Sequence, residues 1–258
     1  GCLGFWPNWA TYVGSRDDAA RKLRPAQLGE ANALAEKYYA EYGARVAATR
    51  GFALVAAGYP GVAVFDATNP EGAPAIVAGL EVPGTSAGLA VSGDLAYVAD
   101  GWEGLEVVDV SDPTVPRIIG NVATPGRAEG VAVRGDHAYV AAREAGLAIV
   151  DVSDPRNPAV VGTADTPGDA YGIAVEGNLA YVADRAEGLA IVDIRNPAHP
   201  RMLGSLATPD LVYRVAASGS LVFVPDYENG LFVVDAADPA HPRIVGSVPA
   251  PPYAFAAA

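Results

Sequence analysis

The apolar residues of this chain occur in short runs that return at a fixed interval. One run, Leu189 to Asp193, reads LAIVD, and similar runs end at Asp66, Asp109, Asp151 and Asp235. Glycine marks the same interval of 42 residues at Gly51, Gly93, Gly135, Gly177 and Gly219. Self-similarity at a period of about 20–50 residues is typical of repeat architectures. The chain is therefore predicted to contain five copies of one structural unit.

Each unit is predicted to contain four short strands. In the fourth unit they cover residues 170–175, 179–184, 189–194 and 201–207, and Gly- or Pro-containing turns separate them. Apolar runs of this kind indicate strands that are buried on both faces. Four antiparallel strands repeated around an axis are the pattern of an all-β propeller with four-stranded blades. A parallel β-helix is the alternative, but it fits this spacing and the many prolines poorly.

The sequence leaves the number of blades open. The last three strands of a blade occur five times, but candidates for the first strand occur six times, at residues 44–50, 87–91, 128–133, 170–175, 212–217 and 254–258. Two arrangements explain this difference: a ring of five blades with an extra strand, or part of a ring of six or seven blades. The second arrangement is slightly favoured.

The residues before the repeats follow a different pattern. Five apolar side chains recur at helical spacing: Leu28, Ala31, Ala35, Tyr38 and Tyr42. Residues 15–43 are therefore predicted to form a helical extension on the outside of the repeat domain, which covers residues 44–258. Residues 1–14 carry no charge and form an apolar N-terminal tail.

The only cysteine of the chain is Cys2, which follows Gly1. A Gly-Cys pair ends the lipobox of bacterial lipoproteins, in which the cysteine becomes the lipidated first residue of the mature protein. The pair therefore predicts lipidation at Cys2. Two alternatives remain open, namely an apolar tail that packs on the domain and a segment of some other element. A single cysteine also excludes a disulfide within the chain.

The repeated run and the turn after it resemble the LVIVD-repeat family of bacterial and archaeal proteins. The matching segments LEVVD, LAIVD, LAIVD and LFVVD begin at Leu105, Leu147, Leu189 and Leu231, and each leads into an Asp-Pro or Asn-Pro turn. The resemblance covers residues 44–258. It implies a β-propeller in an exported or surface-attached protein, in the periplasm or on the cell surface. It implies no reaction, because the family is defined by its scaffold.

The net negative charge of the chain limits which binding partners are expected. The chain has 17 Lys and Arg against 30 Asp and Glu, a net charge of −13. Residues 15–50 hold seven basic and five acidic side chains, which leaves ten basic and 25 acidic ones, or −15, elsewhere. Such a surface repels phosphate backbones and anionic lipid, so nucleic acid is not an expected partner. A membrane contact is expected only through a lipid anchor at Cys2.

Residues that recur in every unit are assigned to folding rather than to chemistry. The aspartates that end the LAIVD-type runs precede Pro-containing turns, where a carboxylate can accept backbone N–H groups. A G-x-S-x-G match around Ser86 lacks the helix that a nucleophile elbow requires, because a strand follows it. The three histidines have no zinc-type spacing. No catalytic residue, metal or cofactor is therefore predicted.

Loop residues that differ between units are free to serve function. The loops that lead into each first strand, and those between second and third strands, are expected on one face of the propeller, here called the rim. Aromatic and arginine side chains are enriched at binding hot spots. Those on the rim are the candidate binding residues: Tyr59, Trp102, Arg127, Arg143, Tyr171, Arg185, Tyr213 and Tyr227. Trp102, Arg143, Arg185 and Tyr227 are assigned to one matching repeat position.

The predicted function is that of a non-enzymatic propeller outside the cytoplasm that binds a protein or a surface polymer through its rim. Two alternatives stay open. One is a hydrolase or lyase with its site at the mouth of the channel. The other is a structural subunit of a larger complex, docked through residues 1–42.

Overall fold

The computed structural model describes residues 45–49, 51–59, 61–68 and 75–249. These residues form twenty β-strands in five sheets, and no helix occurs among them. Within this part of the chain no helix is therefore long and apolar enough to cross a membrane. The predicted apolar tail, helical extension and sixth first strand, at residues 1–14, 15–43 and 254–258, lie outside the described residues.

The first two sheets contain eight strands in chain order. Sheet 1 consists of β1 (Arg45–Thr49), β2 (Phe52–Ala56), β3 (Gly61–Asp66) and β4 (Ala75–Glu81). Sheet 2 consists of β5 (Gly88–Ser92), β6 (Leu95–Ala99), β7 (Leu105–Asp109) and β8 (Arg117–Val122).

The other three sheets repeat this order. Sheet 3 consists of β9 (Gly130–Arg134), β10 (His137–Ala141), β11 (Leu147–Asp151) and β12 (Ala159–Ala164). Sheet 4 consists of β13 (Gly172–Glu176), β14 (Leu179–Ala183), β15 (Leu189–Asp193) and β16 (Arg201–Leu206). Sheet 5 consists of β17 (Ala216–Ser218), β18 (Leu221–Asp226), β19 (Gly230–Asp235) and β20 (Arg243–Val248).

Every sheet is an antiparallel meander in which each strand pairs with the next one along the chain. The same β-bulge recurs between the third and fourth strands of all five sheets, for example between Ile149 and Val150 where β11 pairs with β12. A bulge increases the local twist of a sheet, so each sheet is twisted at the same place. The first strands of successive sheets contact one another, from β1 to β17. The sheets therefore follow each other in a propeller-like array.

The glycines that mark the repeat form the hairpins between first and second strands. Gly93, Gly135, Gly177 and Gly219 have φ angles between +56° and +61°, and Gly51 has a φ of +81°. A two-residue hairpin turn requires this left-handed conformation, which glycine adopts without steric cost. The glycines recur every 42 residues because each sheet contains one hairpin of this kind.

The apolar core lies between neighbouring sheets. The third strands β7, β11 and β15 are buried on both faces, as the sequence predicts, and only their final aspartate is partly exposed. Val98 and Val108 of sheet 2 pack with Leu54 and Val64 of sheet 1, and comparable clusters join the later sheets. Burial of this apolar surface, at about 25 cal/mol per Å² removed from water, is the main force that holds the array together.

Glycines of the fourth strands allow the sheets to approach closely. A Cβ on Gly120, Gly162 or Gly204 would lie 2.1–2.5 Å from the carbonyl oxygen of Pro155, Pro197 or Pro239 in the following sheet. Gly246 occupies the same position in sheet 5, where the nearest heavy atom would be Val233 Cβ at 3.9 Å. The Asp/Asn-Pro turn of one sheet thus packs on the fourth strand of the sheet before it.

The predicted strands agree with the structure except at their ends. The fourth unit was predicted to begin its first strand at residue 170, but β13 begins at Gly172. The reason is that Ala170 pairs with Arg143 of the previous sheet in an isolated β-bridge rather than with its own sheet. The first five predicted first strands correspond to β1, β5, β9, β13 and β17 with revised bounds.

Candidate functional site

Isolated β-bridges join each sheet to the next on one face of the molecule. They link a loop between second and third strands to the segment before the next first strand, in the pairs Gly58–Ser86, Gly101–Ala128, Arg143–Ala170 and Arg185–Val212. Each bridge has two backbone hydrogen bonds of 2.8–3.2 Å. The two sets of loops that the sequence assigns to the rim, those before first strands and those between second and third strands, are therefore in contact. The bridges fix the backbones of both.

A buried carboxylate holds two of the predicted rim arginines. Glu129 is only 8% exposed, and its Oε1 atom accepts from Arg143 Nε at 2.7 Å and lies 3.0 Å from Arg127 Nη1. Because a buried charge is costly without partners, removal of these arginines would leave Glu129 uncompensated. Glu129 therefore sets the orientation of the Arg143 guanidinium.

Two guanidinium groups lie close to the ring of Tyr171. The Cζ atoms of Arg143 and Arg185 are 4.7 and 5.8 Å from its centroid, within the range of a cation–π interaction. Arg185 also donates from Nη1 to Asp169 Oδ2 at 3.1 Å, and this bond raises the pKa of Arg185 above its usual value. Burial raises the pKa of the Tyr171 phenol. Tyr171 therefore stays neutral beside two cations.

The aromatic cluster continues into sheet 5. The ring of Tyr213 meets Tyr171 edge to face at 5.2 Å and meets Tyr227 at 6.2 Å with an interplanar angle of 69°. Edge-to-face pairs of this kind contribute about 0.5–1.5 kcal/mol beyond their buried area. Six of the eight predicted rim residues thus form one connected cluster: Arg127, Arg143, Tyr171, Arg185, Tyr213 and Tyr227.

The structure corrects the predicted alignment of the rim residues. Gly101, Arg143 and Arg185 each form the bridge to the next sheet, and each has a positive φ, of 62°, 42° and 49°. The counterpart of these arginines in sheet 2 is therefore Gly101, and Trp102 lies one position later in its loop. The expectation of one matching position for Trp102 and the arginines was wrong by one residue.

Tyr59 and Trp102 lie outside the connected cluster. Both side chains are 70% exposed, which is unusual for such large aromatic groups. Trp102 follows Gly101, and a Cβ on Gly101 would lie 3.6 Å from Arg127 Nε, so the Trp102 loop borders the cluster. The side chains of Tyr59 and Trp102 therefore expose apolar surface to water on the rim.

An open polar groove of about 480 Å³ runs between sheets 3 and 4 beside Arg185. Acidic side chains dominate its lining, which consists of Glu144, Asp165, Thr166, Pro167, Gly168, Asp169, Arg185, Ala186 and Glu187. Arg185 therefore lies in a mostly acidic groove.

Two carboxyl groups are fully buried beneath the rim of sheet 2. Asp100 is 0% and Glu106 is 1% exposed, and burial raises their pKa values to about 6 and about 7. Asp100 Oδ2 accepts the Gly84 N–H at 2.8 Å, but Asp100 Oδ1 and Glu106 Oε1 have no partner among the described residues. Glu106 pairs with Val98 across the strands, so it shares a face with Asp100. The pair is too deep to meet a ligand and belongs to the core.

Sequence reasoning missed Glu106 as well as the two acids that hold the arginines, Glu129 and Asp169. A signal for Glu106 was present, because the same repeat position is alanine at Ala63, Ala148 and Ala190. No such signal marked Glu129 and Asp169, since loop tips vary in every unit. Their importance follows only from the contact with arginines of the neighbouring loop.

Residues assigned to folding have structural contacts. The single hydrogen of the Ser86 hydroxyl is shared between Gly61 O at 2.7 Å and Gly58 O at 3.0 Å, and the side chain is buried, so it is no nucleophile elbow. The aspartates that end the third strands each accept a backbone N–H two residues later, at 2.9–3.0 Å. In the described part of the chain no three His, Cys, Asp or Glu side chains are grouped to hold a metal ion.

The five similar sheets, their common bulge and the loop bridges define a repeat protein of propeller-like four-stranded units. The family model described as "LVIVD repeat" matches residues 83–124, 125–166, 167–208 and 212–249. The chain therefore belongs to the LVIVD-repeat family, as its sequence suggested. No curated protein matches the chain.

Solved structures with a similar fold have little sequence in common with this chain. The computationally designed protein Ika8 superposes with a TM-score of 0.65 at 10% identity, over 82% of this chain and 63% of its own. A functionally unknown protein from Desulfotomaculum acetoxidans DSM 771 gives 0.62 at 18% identity, over 80% of this chain and 69% of its own. The designed protein Ika4 gives 0.52 at 10% identity, over 62% and 96%. At these identities the likeness concerns the fold alone.

Proposed function

We propose that this protein is a non-enzymatic β-propeller that acts outside the cytoplasm and binds a protein or a surface polymer through its rim. The observation that carries the proposal is the connected cluster around Tyr171, in which ordered arginine and tyrosine side chains project from loops fixed by β-bridges. Binding surfaces concentrate their energy in such aromatic and arginine anchors. Side chains that are already ordered lose less entropy when a partner binds.

Mutation of exposed rim residues tests the proposal. Alanine at Trp102 or at Tyr227 is expected to weaken recovery of the native partner in a pull-down from the host's envelope fraction, because truncation of an anchor costs about 2 kcal/mol or more. Thermal unfolding of Trp102→Ala should stay close to that of the unmodified protein, since exposed loop residues change stability by about 0.5 kcal/mol at most. His241→Ala, on the opposite loops, is the control and should keep the partner.

The same experiment separates the alternatives. If both rim variants retain the partner and a variant in residues 1–42 loses it, the protein is a structural subunit docked through that segment. A hydrolase or lyase at the channel mouth would need a reactive group on the rim. The carboxylates nearest the cluster, Glu129 and Asp169, are instead paired with arginines, which favours the binding function.

The location outside the cytoplasm is part of the proposal, and it rests on the family resemblance and on the Gly1-Cys2 pair. A lipid on Cys2 would attach an acidic protein to a membrane for which its surface has no attraction of its own. Cys2 lies outside the described residues.

A further inference from the structure

Arg143 and Arg185 occupy a backbone conformation that disfavours every residue with a Cβ. Their φ angles of 42° and 49° are the only positive values of non-glycine residues in the described ranges. The left-handed conformation costs such a residue about 1–2 kcal/mol, and the same position of sheet 2 is glycine, Gly101. Strain of this kind persists where a side chain is needed at that point. The backbone conformation alone would favour glycine at both positions, and at Arg143 the ion pair with buried Glu129 offsets part of that strain.

Both guanidinium groups are oriented without being saturated. Arg143 donates from Nε to Glu129, and Arg185 donates from Nη1 to Asp169. Among the described residues the Arg143 guanidinium has no other hydrogen bond, so its two terminal NH₂ groups have no acceptor there. Arg185 also has a side-chain hydrogen bond with Tyr213, and its Nε is buried without an acceptor in the same part of the chain. The hydrogen-bond donors open to a ligand are therefore the terminal NH₂ groups, above all those of Arg143.

Tyr171 gives these donors a fixed position and a less polar environment. Its ring lies within 6 Å of both guanidinium carbons, and the edge contact with Tyr213 supports it. A charge–charge interaction beside an aromatic face is stronger than in bulk water because the local dielectric constant is lower. An anion that reaches both arginines would meet groups that already have the required orientation.

Charge limits the kind of anion that can bind. Arg127, Arg143 and Arg185 face two paired acids, Glu129 and Asp169, so the cluster keeps one excess positive charge. The loops of Gly101, Arg143, Arg185 and Tyr227 also carry the acidic residues Glu103, Glu144, Glu187 and Glu228. A polyanion would be repelled by these side chains, whereas one carboxylate on a neutral or basic segment would be repelled less.

We propose that Arg143 and Arg185 bind a carboxylate group that a partner protein presents as an Asp or Glu side chain. The planar guanidinium fork matches a carboxylate with two parallel hydrogen bonds, which a lysine at the same position cannot form. This inference rests on the proposed function of the rim and adds the chemical group that the rim recognises. It also explains why arginine replaces glycine at two strained positions.

Two blocked peptides that differ in one group test the inference. The probe is acetyl-Gly-Lys-Gly-Asp-Gly-Lys-Gly-amide, and the control contains Asn in place of Asp. In ¹H–¹⁵N NMR at constant ionic strength, the Asp peptide should shift the Arg143 and Arg185 Nε–H signals saturably, and the Asn peptide should not. Equal shifts with both peptides, or no shift with either, would overturn the proposal.

Glycine variants separate binding from folding. Arg143→Gly and Arg185→Gly both relieve the positive-φ strain, so Arg185→Gly should unfold at or above the temperature of the unmodified protein. Arg143→Gly also removes one of the two arginine partners of buried Glu129 and should unfold at a lower temperature unless it is combined with Glu129→Gln. Each should bind the Asp peptide about tenfold more weakly or worse, since a hydrogen bond to a charged group contributes about 1.5–3 kcal/mol. Arg143→Asn, which also tolerates a positive φ, should behave like Arg143→Gly. If the glycine variants fold and bind the Asp peptide as tightly as before, the proposal is wrong.

The pull-down with rim variants and the titration with the Asp peptide together distinguish binding through the rim from binding of a carboxylate. If Trp102→Ala loses the native partner while the Asp peptide shifts neither arginine, the rim binds its partner but not through a carboxylate. If the peptide shifts the arginines and Trp102→Ala and Tyr227→Ala both keep the partner, the carboxylate site stands and the partner binds elsewhere.

Discussion

Gly162 lies so close to the backbone of Pro197 in the next sheet that a Cβ would come within 2.1 Å of the Pro197 carbonyl oxygen. A backbone oxygen held in a turn cannot rotate away as a flexible side chain could. Gly162→Ala should therefore push sheets 3 and 4 apart and lower the free energy of unfolding by about 1–3 kcal/mol. Urea denaturation followed by circular dichroism measures this change.

Gly246→Ala is the matched control, because this glycine has the same place in β20. Among the described residues its Cβ would meet only Val233, at 3.9 Å, so the substitution should change stability by less than about 0.5 kcal/mol. Equal losses for the two variants would mean that the cost lies in strand propensity and not in the contact between sheets.

The buried carboxyl groups of Asp100 and Glu106 predict an unusual dependence of stability on pH. Burial raises their folded pKa values to about 6 and about 7, above those of the unfolded chain, so the folded protein holds protons that the unfolded chain releases. Stability is then greatest where both groups are neutral and falls as pH rises through about 6 and 7. The free energy of unfolding should be a few kcal/mol lower at pH 8 than at pH 5.

Glu106→Gln removes the larger of these two effects, because a neutral amide of similar shape takes the place of the acid. The variant should lose most of the decline between pH 5 and pH 8, whereas Glu144→Gln at an exposed tip should keep it. Parallel pH profiles of Glu106→Gln and the unmodified protein would contradict the assignment.

The turn aspartates, of which Asp193 is an example, give stability the opposite dependence on pH to that of Asp100 and Glu106. Hydrogen bonds from the side chain and backbone of Arg195 hold the pKa of Asp193 below the usual value. Its contribution is therefore present at neutral pH and is lost as pH falls below about 4. Asp193→Ala should cost about 1 kcal/mol at pH 7 and leave partner binding intact.

Thermal unfolding at pH 7 measures the Asp193→Ala effect, with exposed Glu176→Ala as the control that should not change it. A variant of Asp193 that kept its melting temperature but lost a partner would show that the repeated aspartates serve binding instead of the turn.

Cys2 gives a prediction that concerns attachment to a membrane. Protein made in its native host from the complete gene should fractionate with membranes and carry a diacylglyceryl group on Cys2, detectable as added mass on the N-terminal peptide. Cys2→Ser should release it into the soluble fraction. Soluble, unmodified Cys2 protein from the host would exclude lipidation.

The sequence by itself determined the repeat, its strands and most of its turns. The reason is local: the LAIVD-type runs must be buried, and a hairpin glycine such as Gly177 adopts a left-handed conformation that other residues avoid. Comparison of units also separated Asp193, which every unit has, from rim residues such as Tyr171 that vary. The same comparison could have found Glu106, whose repeat position is alanine in three of the other units and phenylalanine, Phe232, in the fourth.

Only the tertiary structure decided how the rim residues meet. Arg143 and Tyr171 are 28 positions apart, and the bridge between Arg143 and Ala170 brings their loops together. The bridge also shows that the counterpart of Arg143 is Gly101 and not Trp102, an alignment that the 42-residue period of the sequence already contained. Contacts between loops of neighbouring sheets depend on how those sheets pack, and apolar runs specify that packing only through the sum of many side chains.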